Sequence, residues 1–241
     1  MLAVKTENLT KKYKDVVAVN NLNLEINKGE VFSLLGVNGA GKTTTVKMLC
    51  CLLKSSAGNA CLMGKSINAE PLAVKEIIGI SPQETAVAMG LTVKENLELM
   101  CGVYGLFGKK RQQKINQLSN QFNLNDILNK KAAKLSGGWQ RRLSIALALV
   151  GEPQILFLDE PTLGLDVIAR SELWDIIRGL QGKATVILTT HYMEEAEALS
   201  TRVGIMKNGN LIDVGTPTEL KEKAQEQTFE KAFIKIVKGA E

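Results

Sequence analysis

The segment GVNGAGKTT, residues 36–44, places three glycines before a lysine and two hydroxyl side chains. It fits the pattern G-x-x-x-x-G-K-[ST], and it lies between a strand-like run, VFSLL, and a helical pattern, TTTVKMLCCLL. Glycines let backbone N–H groups turn inward around an anion, and the start of the following helix adds positive potential. The segment therefore predicts a site for a nucleotide polyphosphate.

Each residue type in this segment has a chemical use. Lys42 can reach the β- and γ-phosphates, the Thr43 hydroxyl can coordinate Mg²⁺, and Thr44 can hydrogen-bond phosphate. The predicted nucleotide contacts are Gly36, Asn38, Gly39, Ala40, Gly41, Lys42, Thr43 and Thr44.

Two adjacent acidic residues, Asp159 and Glu160, follow the apolar run Ile155–Leu158. That run is long enough for a buried strand but too short for a helix of its own. Adjacent carboxylates at a strand end repel each other unless a cation compensates them, and Mg²⁺ would do so for Asp159. Successive strand residues point to opposite faces, so Glu160 has a separate role, which we assign as orienting the attacking water.

The sequence contains one histidine, His191, in TVILTTHYMEEAE. It stands where a β-branched run ends and an acidic helical pattern begins. A lone histidine is by itself a weak signal. Ligands of open α/β sheets lie beyond the carboxyl ends of the strands, so an imidazole at this position can face the γ-phosphate and the attacking water.

Short β-branched runs alternate with helical patterns, which predicts an α/β fold with a largely parallel sheet. The predicted strands are Leu22–Ile26, Val31–Leu35, Ile77–Ile80, Ile155–Leu158, Thr185–Leu188 and Val203–Met206. Asn208-Gly209 predicts a hairpin, so the sheet is mixed. Residues 84–148 show helical periodicity over Val93–Tyr104 and Gln112–Phe122 and no strand pattern, which indicates a helical insert. Two further helices are predicted between Thr216 and Val237.

Composition describes an ordinary globular protein of 241 residues, 45% hydrophobic and 23% charged, with a net charge of +5. No apolar run reaches the roughly 18 residues that a membrane span requires, and the first residues lack a signal-peptide pattern. The cysteines Cys50, Cys51, Cys61 and Cys101 have no metal-ligand spacing and are expected to be reduced core thiols. A cytoplasmic protein that does not bind nucleic acid is expected.

Basic residues cluster between Gly108 and Arg142, with nine Lys or Arg against one acid, Asp126. Such a cluster is usually the solvated surface of helices. The alternative is one basic face toward phosphate or anionic lipid headgroups, on which a membrane-embedded partner would dock.

The segment LSGGWQRR, residues 135–142, resembles the signature motif of ATP-binding-cassette (ABC) ATPases. Gln83 in GISPQETAV resembles the Q-loop of that family, and Tyr13 resembles the aromatic residue that stacks on adenine. Gly164–Asp166 resembles the D-loop, and His191 the switch histidine. These segments occur in the family order from about residue 2 to 215. Val37 in the phosphate loop and Trp139 in the signature depart from the commonest family pattern.

The resemblance implies a P-loop NTPase (RecA-like) α/β core with a mixed sheet, an N-terminal antiparallel β portion and a helical subdomain inserted after the Q-loop. The corresponding ranges are 1–83 and 149–215 for the core, 84–148 for the helical subdomain with the signature, and 216–241 for a helical tail.

The resemblance also implies site roles and a dimer around two ATP–Mg²⁺. Lys42, Gln83, Glu160 and His191 would be catalytic, and Thr43, Gln83 and Asp159 would hold Mg²⁺. Tyr13 and Asp166 would contact nucleotide, whereas Ser136, Gly137 and Gly138 would cap the γ-phosphate bound by the second copy.

The partner implied by the resemblance is a separate membrane permease. The chain would act on it from the cytoplasmic face of the membrane. The segments PTLGLD, TTHYMEEAE and GTPTEL resemble the corresponding segments of exporters of the drug, antibiotic or sodium type. A non-transport ABC ATPase of the iron–sulfur assembly type stays open as the alternative. A GTPase is disfavoured because the sequence has no N-K-x-D motif, and a non-hydrolysing cassette because the catalytic residues are all present.

Overall fold

The computed structural model describes residues 1–239, in which ten strands form two sheets. The strands are β1 (Leu2–Tyr13), β2 (Val16–Asn27), β3 (Val31–Leu35), β4 (Ala57–Leu62), β5 (Lys65–Ser66), β6 (Ile78–Ser81), β7 (Ile155–Asp159), β8 (Thr185–Thr190), β9 (Arg202–Lys207) and β10 (Asn210–Gly215). The helices are α1 (Lys42–Leu49), α2 (Pro71–Ile77), α3 (Val93–Val103), α4 (Gly108–Gln121), α5 (Gly137–Ala148), α6 (Val167–Arg178), α7 (Met193–Leu199), α8 (Pro217–Ala224) and α9 (Phe229–Gly239).

The larger sheet has the order β10-β9-β3-β8-β7-β6. All of its pairings are parallel except β9 with β10, which are antiparallel. The predicted Asn208-Gly209 hairpin is confirmed, and both residues have positive φ, 47° and 79°. The mixed α/β sheet predicted from the sequence is therefore confirmed. The parallel arrangement brings the carboxyl ends of β3, β7 and β8 to one edge, where the polar residues of the site follow them.

The smaller sheet is antiparallel, with the order β2-β1-β4-β5. The strand prediction found part of β2 in this sheet and missed β1, β4 and β5. The pairing of β1 with β2 contains several register shifts, and Asn8 within β1 has φ of 49°. Such irregularities interrupt the alternation of apolar and polar residues on which strand prediction depends.

Side chains of the central strands divide between two hydrophobic clusters. Leu156 and Leu158 of β7 pack in the cluster that includes the helical insert, whereas Ile155 and Phe157 pack in the cluster with the antiparallel sheet. This division follows from the two-residue period of a strand. The sheet is thus buried on both faces. The polar residues of the site lie at the edge where the parallel strands end.

The residues between β6 and β7 hold α3, α4, α5 and two short 3₁₀ turns, and no strand is described there. Helix α4 begins at Gly108, four residues before the predicted start. The subdomain boundaries at 84 and 148 stay a prediction. The tail contains the two predicted helices, α8 and α9, which pack in a third cluster with β9. Residues 240 and 241 of the predicted tail lie outside the described residues.

The expectation of one solvent-facing basic surface is wrong for three of the nine cations. Lys114, Arg141 and Arg142 are 8%, 4% and 4% exposed. Lys114 pairs with Glu152 at 2.5 Å and Arg142 pairs with Glu172. These cations bind partners within the fold, so they are not available to a docking partner.

The four cysteines are free, with Cys50 and Cys101 buried and the other two half-buried. Among residues 1–239, no helix has both the length and the apolar character that a membrane crossing requires.

Candidate functional site

The loop between β3 and α1 is fixed from two sides of the molecule. The Gly209 amide of the β9–β10 hairpin donates to the carbonyl oxygen of Ala40 at 3.1 Å. Gly41 has φ of +101°, and a Cβ at this position would lie 2.4 Å from the Ala18 carbonyl oxygen. No other residue type fits there, because both the backbone conformation and the close approach exclude a side chain. The loop is therefore a built cradle at the start of α1.

Lys42, the first residue of α1, is buried with 5% exposure. Its Nζ donates to the carbonyl oxygens of Gly36 at 2.7 Å and Val37 at 3.2 Å. Burial lowers the pKa of Lys42, and the charges of Glu160 and Asp159 counteract that effect. An ammonium group that donates to carbonyl dipoles inside the cradle can transfer these hydrogen bonds to phosphate oxygens.

Asp159, at the end of β7, lies against the hydroxyl group of Thr43. The Thr43 Oγ1 donates to Asp159 Oδ1 at 3.2 Å, and the Thr189 hydroxyl donates to the same oxygen. A hydroxyl and a carboxylate brought together next to the cradle are the hard oxygen donors that Mg²⁺ prefers. The residues present therefore fit the metal that the sequence pattern implies.

Glu160 turns away from Asp159 and faces the cleft. Its φ of +47° is left-handed, and its amide donates to both the carbonyl oxygen and the Oγ1 of Thr189, at 3.1 and 3.0 Å. One carboxylate oxygen lies 3.2 Å from His191 Nδ1, and the other accepts from Gln83 Nε2 at 3.5 Å. The two acids do point in different directions, as predicted, but a turn in the backbone causes the difference and not strand alternation alone.

Most of these residues surround one cleft of about 560 Å³, whose lining does not include Asp159 or Gly36. Its lining consists of Ala18, Asn38, Gly39, Ala40, Gly41, Lys42, Thr43, Thr44, Gln83, Glu160, Leu163 and His191. The structure thus brings the phosphate cradle, Gln83, Glu160 and His191 together from segments far apart in the sequence. Ala18 and Leu163 were not predicted, because a small or apolar residue carries no chemical signal.

Comparisons with known proteins decide the family. The ABC transporter profile matches residues 19–163. The probable multidrug ABC transporter ATP-binding protein YbhF of Escherichia coli is 39% identical over 240 residues, or 97% of this chain and 41% of YbhF. The daunorubicin/doxorubicin resistance ATP-binding protein DrrA of Streptomyces peucetius is 40% identical over 220 residues, or 91% of this chain and 67% of DrrA. The chain belongs to the ABC transporter family.

A solved ABC cassette has the same fold. The dimeric structure of a post-hydrolysis state of the ATP-binding cassette MJ0796, bound to ADP and Pi, matches with a TM-score of 0.79 and 29% identity. The match covers 88% of this chain and 98% of that one. The expected ABC fold is therefore confirmed. The chain spans less than half the length of YbhF, at 41%.

The ABC signature residues do not line the cleft. Ser136 is the N-cap of α5, and Gly137 and Gly138 form the first turn of that helix. A Cβ on Gly137 would meet only a Leu165 side-chain carbon at 3.9 Å, whereas one on Gly138 would lie 3.2 Å from Ala169. The first turn of α5 is therefore close to the D-loop and its helix, and apart from the phosphate cradle of the same chain.

Tyr13 and Asp166 are also outside the ABC cleft lining. Tyr13 ends β1 with 46% exposure, and the Lys11 ammonium lies 5.1 Å from its ring centroid. Asp166 is the N-cap of α6, where its carboxylate accepts from the Ala169 amide at 2.9 Å. Both side chains thus have contacts within the chain that sequence reasoning did not foresee.

Arg141, which was predicted to belong to a basic surface, is also a functional candidate. Its guanidinium donates to the carbonyl oxygens of Pro82 at 2.5 Å, Gln83 at 2.8 Å and Glu160 at 3.1 Å. The signal was present in the basic pair that follows the ABC signature glycines. It was missed because a basic pair on a helix is usually solvated.

Proposed function

We propose that the chain binds ATP with Mg²⁺ and hydrolyses it. The observation that carries this proposal is the position of Glu160, whose carboxylate faces the phosphate cleft between His191 and Gln83. A carboxylate in that position can accept a proton from a water molecule that attacks the terminal phosphate.

The other side chains have supporting roles. The loop amides and Lys42 would bind phosphate oxygens, and Thr43, Asp159 and Gln83 would hold the metal. Mg²⁺, when bound, would neutralise negative charge on the phosphates. His191 donates a hydrogen bond toward the γ-phosphate and keeps the Glu160 carboxylate oriented through their 3.2 Å contact. Gln83 connects the site to the helical insert that it precedes.

The same proposal includes a dimer of two copies with two nucleotides between them. Ser136, Gly137 and Gly138 stand at a helix start, where free amides and the helix dipole favour an anion. They lie outside the cleft of their own chain and would instead contact the γ-phosphate bound by a second copy. Asp166 and Tyr13 would be additional nucleotide contacts. The dimeric MJ0796 cassette with bound ADP and Pi supports this arrangement.

The dimer would drive a separate membrane permease, from the cytoplasmic face of the membrane, in a transporter of the exporter type. The names of YbhF and DrrA, a probable multidrug transporter protein and a drug resistance protein, support export over the iron–sulfur assembly alternative. The six cations of the basic cluster that the fold does not bury stay available for the predicted docking.

The test is Glu160→Gln, which keeps the shape of the side chain and removes the general base. We expect the ATP dissociation constant to stay within about threefold and kcat to fall by roughly 10²–10⁴-fold. Glu76→Gln makes the same change on an exposed residue of α2 and should hydrolyse ATP at the wild-type rate. Binding is measured with a fluorescent ATP analogue and turnover by phosphate release. Wild-type turnover in Glu160→Gln would contradict the proposal.

A further inference from the structure

Glu195 on α7 is a fully buried carboxyl group that the proposed chemistry does not use. Its Oε1 accepts hydrogen bonds from the Thr162 hydroxyl at 2.7 Å and from the Trp174 indole N–H at 3.2 Å. Its Oε2 has no hydrogen-bond partner within residues 1–239. Oε1 therefore accepts both of these hydrogen bonds.

The burial of this group costs free energy that a neutral side chain would avoid. Burial raises the pKa of Glu195, whereas the nearby donor groups of Thr190, Thr162 and Trp174 and the charge of Arg170 act in the opposite direction. Arg170 Nε also lacks a hydrogen-bond partner in the described part of the chain. The burial of this carboxyl group is only partly compensated, and a buried ionisable group is by itself weak evidence for a stabilising role.

The position of Glu195 relates it to the catalytic side chains. Thr162 follows Glu160 by two residues and precedes the D-loop, and Trp174 belongs to α6, which begins directly after the D-loop. Glu195 follows His191 by four residues and lies in the first turn of α7, the helix after β8. The Oε1 atom thus joins the segment that carries Glu160 to the segment that carries His191.

We propose that Glu195 is a positioning residue, whose Oε1 holds the Glu160 segment and the His191 segment in the relative position that hydrolysis requires. The role rests on the ATPase function proposed above. The role depends on the acceptor oxygen and not on the negative charge. A glutamine at position 195 should therefore function as well as Glu195, because its amide oxygen can accept the same two hydrogen bonds.

Three variants test this role: Glu195→Ala, Glu195→Gln and Thr162→Val. We expect the first and third to lower kcat by about 10- to 100-fold, because a small displacement of the catalytic groups is costly. The KM for ATP should stay within about threefold, since neither residue lines the cleft. Glu195→Gln should retain turnover close to the wild-type rate. Thr218→Val, on the exposed surface of α8, is the matched control.

Hydrogen exchange of the amides of residues 162–166 gives a second readout that needs no hydrolysis. In the nucleotide-free chain, exchange should be faster in Glu195→Ala and Thr162→Val and unchanged in Glu195→Gln. A combined Glu195→Ala, Thr162→Val variant should be no slower in turnover than the slower single variant, because both remove the same contact.

The role is overturned if Glu195→Gln loses as much turnover as Glu195→Ala, or if Thr162→Val has wild-type turnover and exchange. Thr162→Val keeps the shape of the side chain, so it decides the question even where Glu195→Ala does not fold. Failure of the ATPase proposal itself gives a different result, normal turnover in Glu160→Gln or none in the wild type. The exchange readout then still decides whether the contact orders residues 162–166.

Discussion

Glu160 is held by neighbours that come from two other segments of the chain. Its backbone amide is bound by Thr189 at the end of β8, and its side chain lies between His191 and Gln83. The left-handed φ of 47° is unusual for a residue with a side chain and indicates a position that the surroundings enforce. At this scale the site has fixed geometry before any nucleotide enters.

Lys42→Ala should weaken ATP binding, in contrast to Glu160→Gln. The variant loses a charge-assisted hydrogen bond to phosphate, which corresponds to a dissociation constant about 10- to 100-fold higher. The measurement is a titration with a fluorescent ATP analogue. Lys47→Ala removes an exposed lysine from the same helix and should bind ATP as the wild type does. Equal affinity of the two variants would remove Lys42 from the phosphate site.

Helix α5 is joined to its surroundings by two adjacent arginines in different ways. Arg141 donates to three backbone carbonyl oxygens, of Pro82, Gln83 and Glu160. Arg142 pairs with Glu172, whose side chain is 56% exposed, and lies 4.5 Å from the Trp139 ring centroid. The signature helix is thus attached to the Q-loop and to the Glu160 segment through Arg141.

Arg141→Met should therefore destabilise the protein more than Arg142→Met. Three carbonyl groups, of which that of Glu160 is buried and the others part-buried, lose their donor at about 1 kcal/mol each, so we expect the free energy of unfolding to fall by about 3 kcal/mol. For Arg142→Met we expect about 1 kcal/mol, because Glu172 regains contact with water. Urea denaturation followed by circular dichroism measures both. A larger loss for Arg142→Met would contradict this view of α5.

The sequence predicted those parts of the molecule whose signals are local. The phosphate loop, the hairpin at Asn208-Gly209 and the central parallel strands depend on turn residues and short apolar runs. It did not predict β1, where register shifts break the alternation, or the interior position of Arg141, where the contacts are made with residues about 20 and 60 positions away. Contacts between distant segments leave no local pattern to detect.

At the scale of the whole molecule, the phosphate cradle and the first turn of α5, which we propose as two anion-binding features, are separate. The cradle lines the 560 Å³ cleft, and Ser136 and Gly137 do not. Under the proposed function, one chain would therefore carry two half-sites that it cannot combine by itself. A pair of chains in head-to-tail contact would complete both.

Gly137→Asp tests this arrangement without damage to the fold. The position has space for a side chain, and an acidic residue in the first turn of a helix is favourable. In the dimer, however, the new carboxylate would face a phosphate, so we expect ATP-dependent dimerisation in the Glu160→Gln background to be lost. Light scattering measures the dimer.

Leu72→Asp is the control for Gly137→Asp, because it places the same acid in the first turn of α2 at a residue that is 75% exposed. That variant should dimerise normally. Intact dimerisation of Gly137→Asp, with ATP binding by the single chain unchanged, would exclude the signature turn from the contact with the second nucleotide.

The two-sided clamp on the phosphate loop affects how the free energy of nucleotide binding is distributed. Gly209 holds the loop from the hairpin, and the carbonyl group of Ala18 confines it from the antiparallel sheet. A loop that is preorganised in this way loses little conformational entropy when ATP enters. More of the interaction energy is then available to draw a second molecule onto the bound triphosphate, and rigidity in one loop favours association between chains.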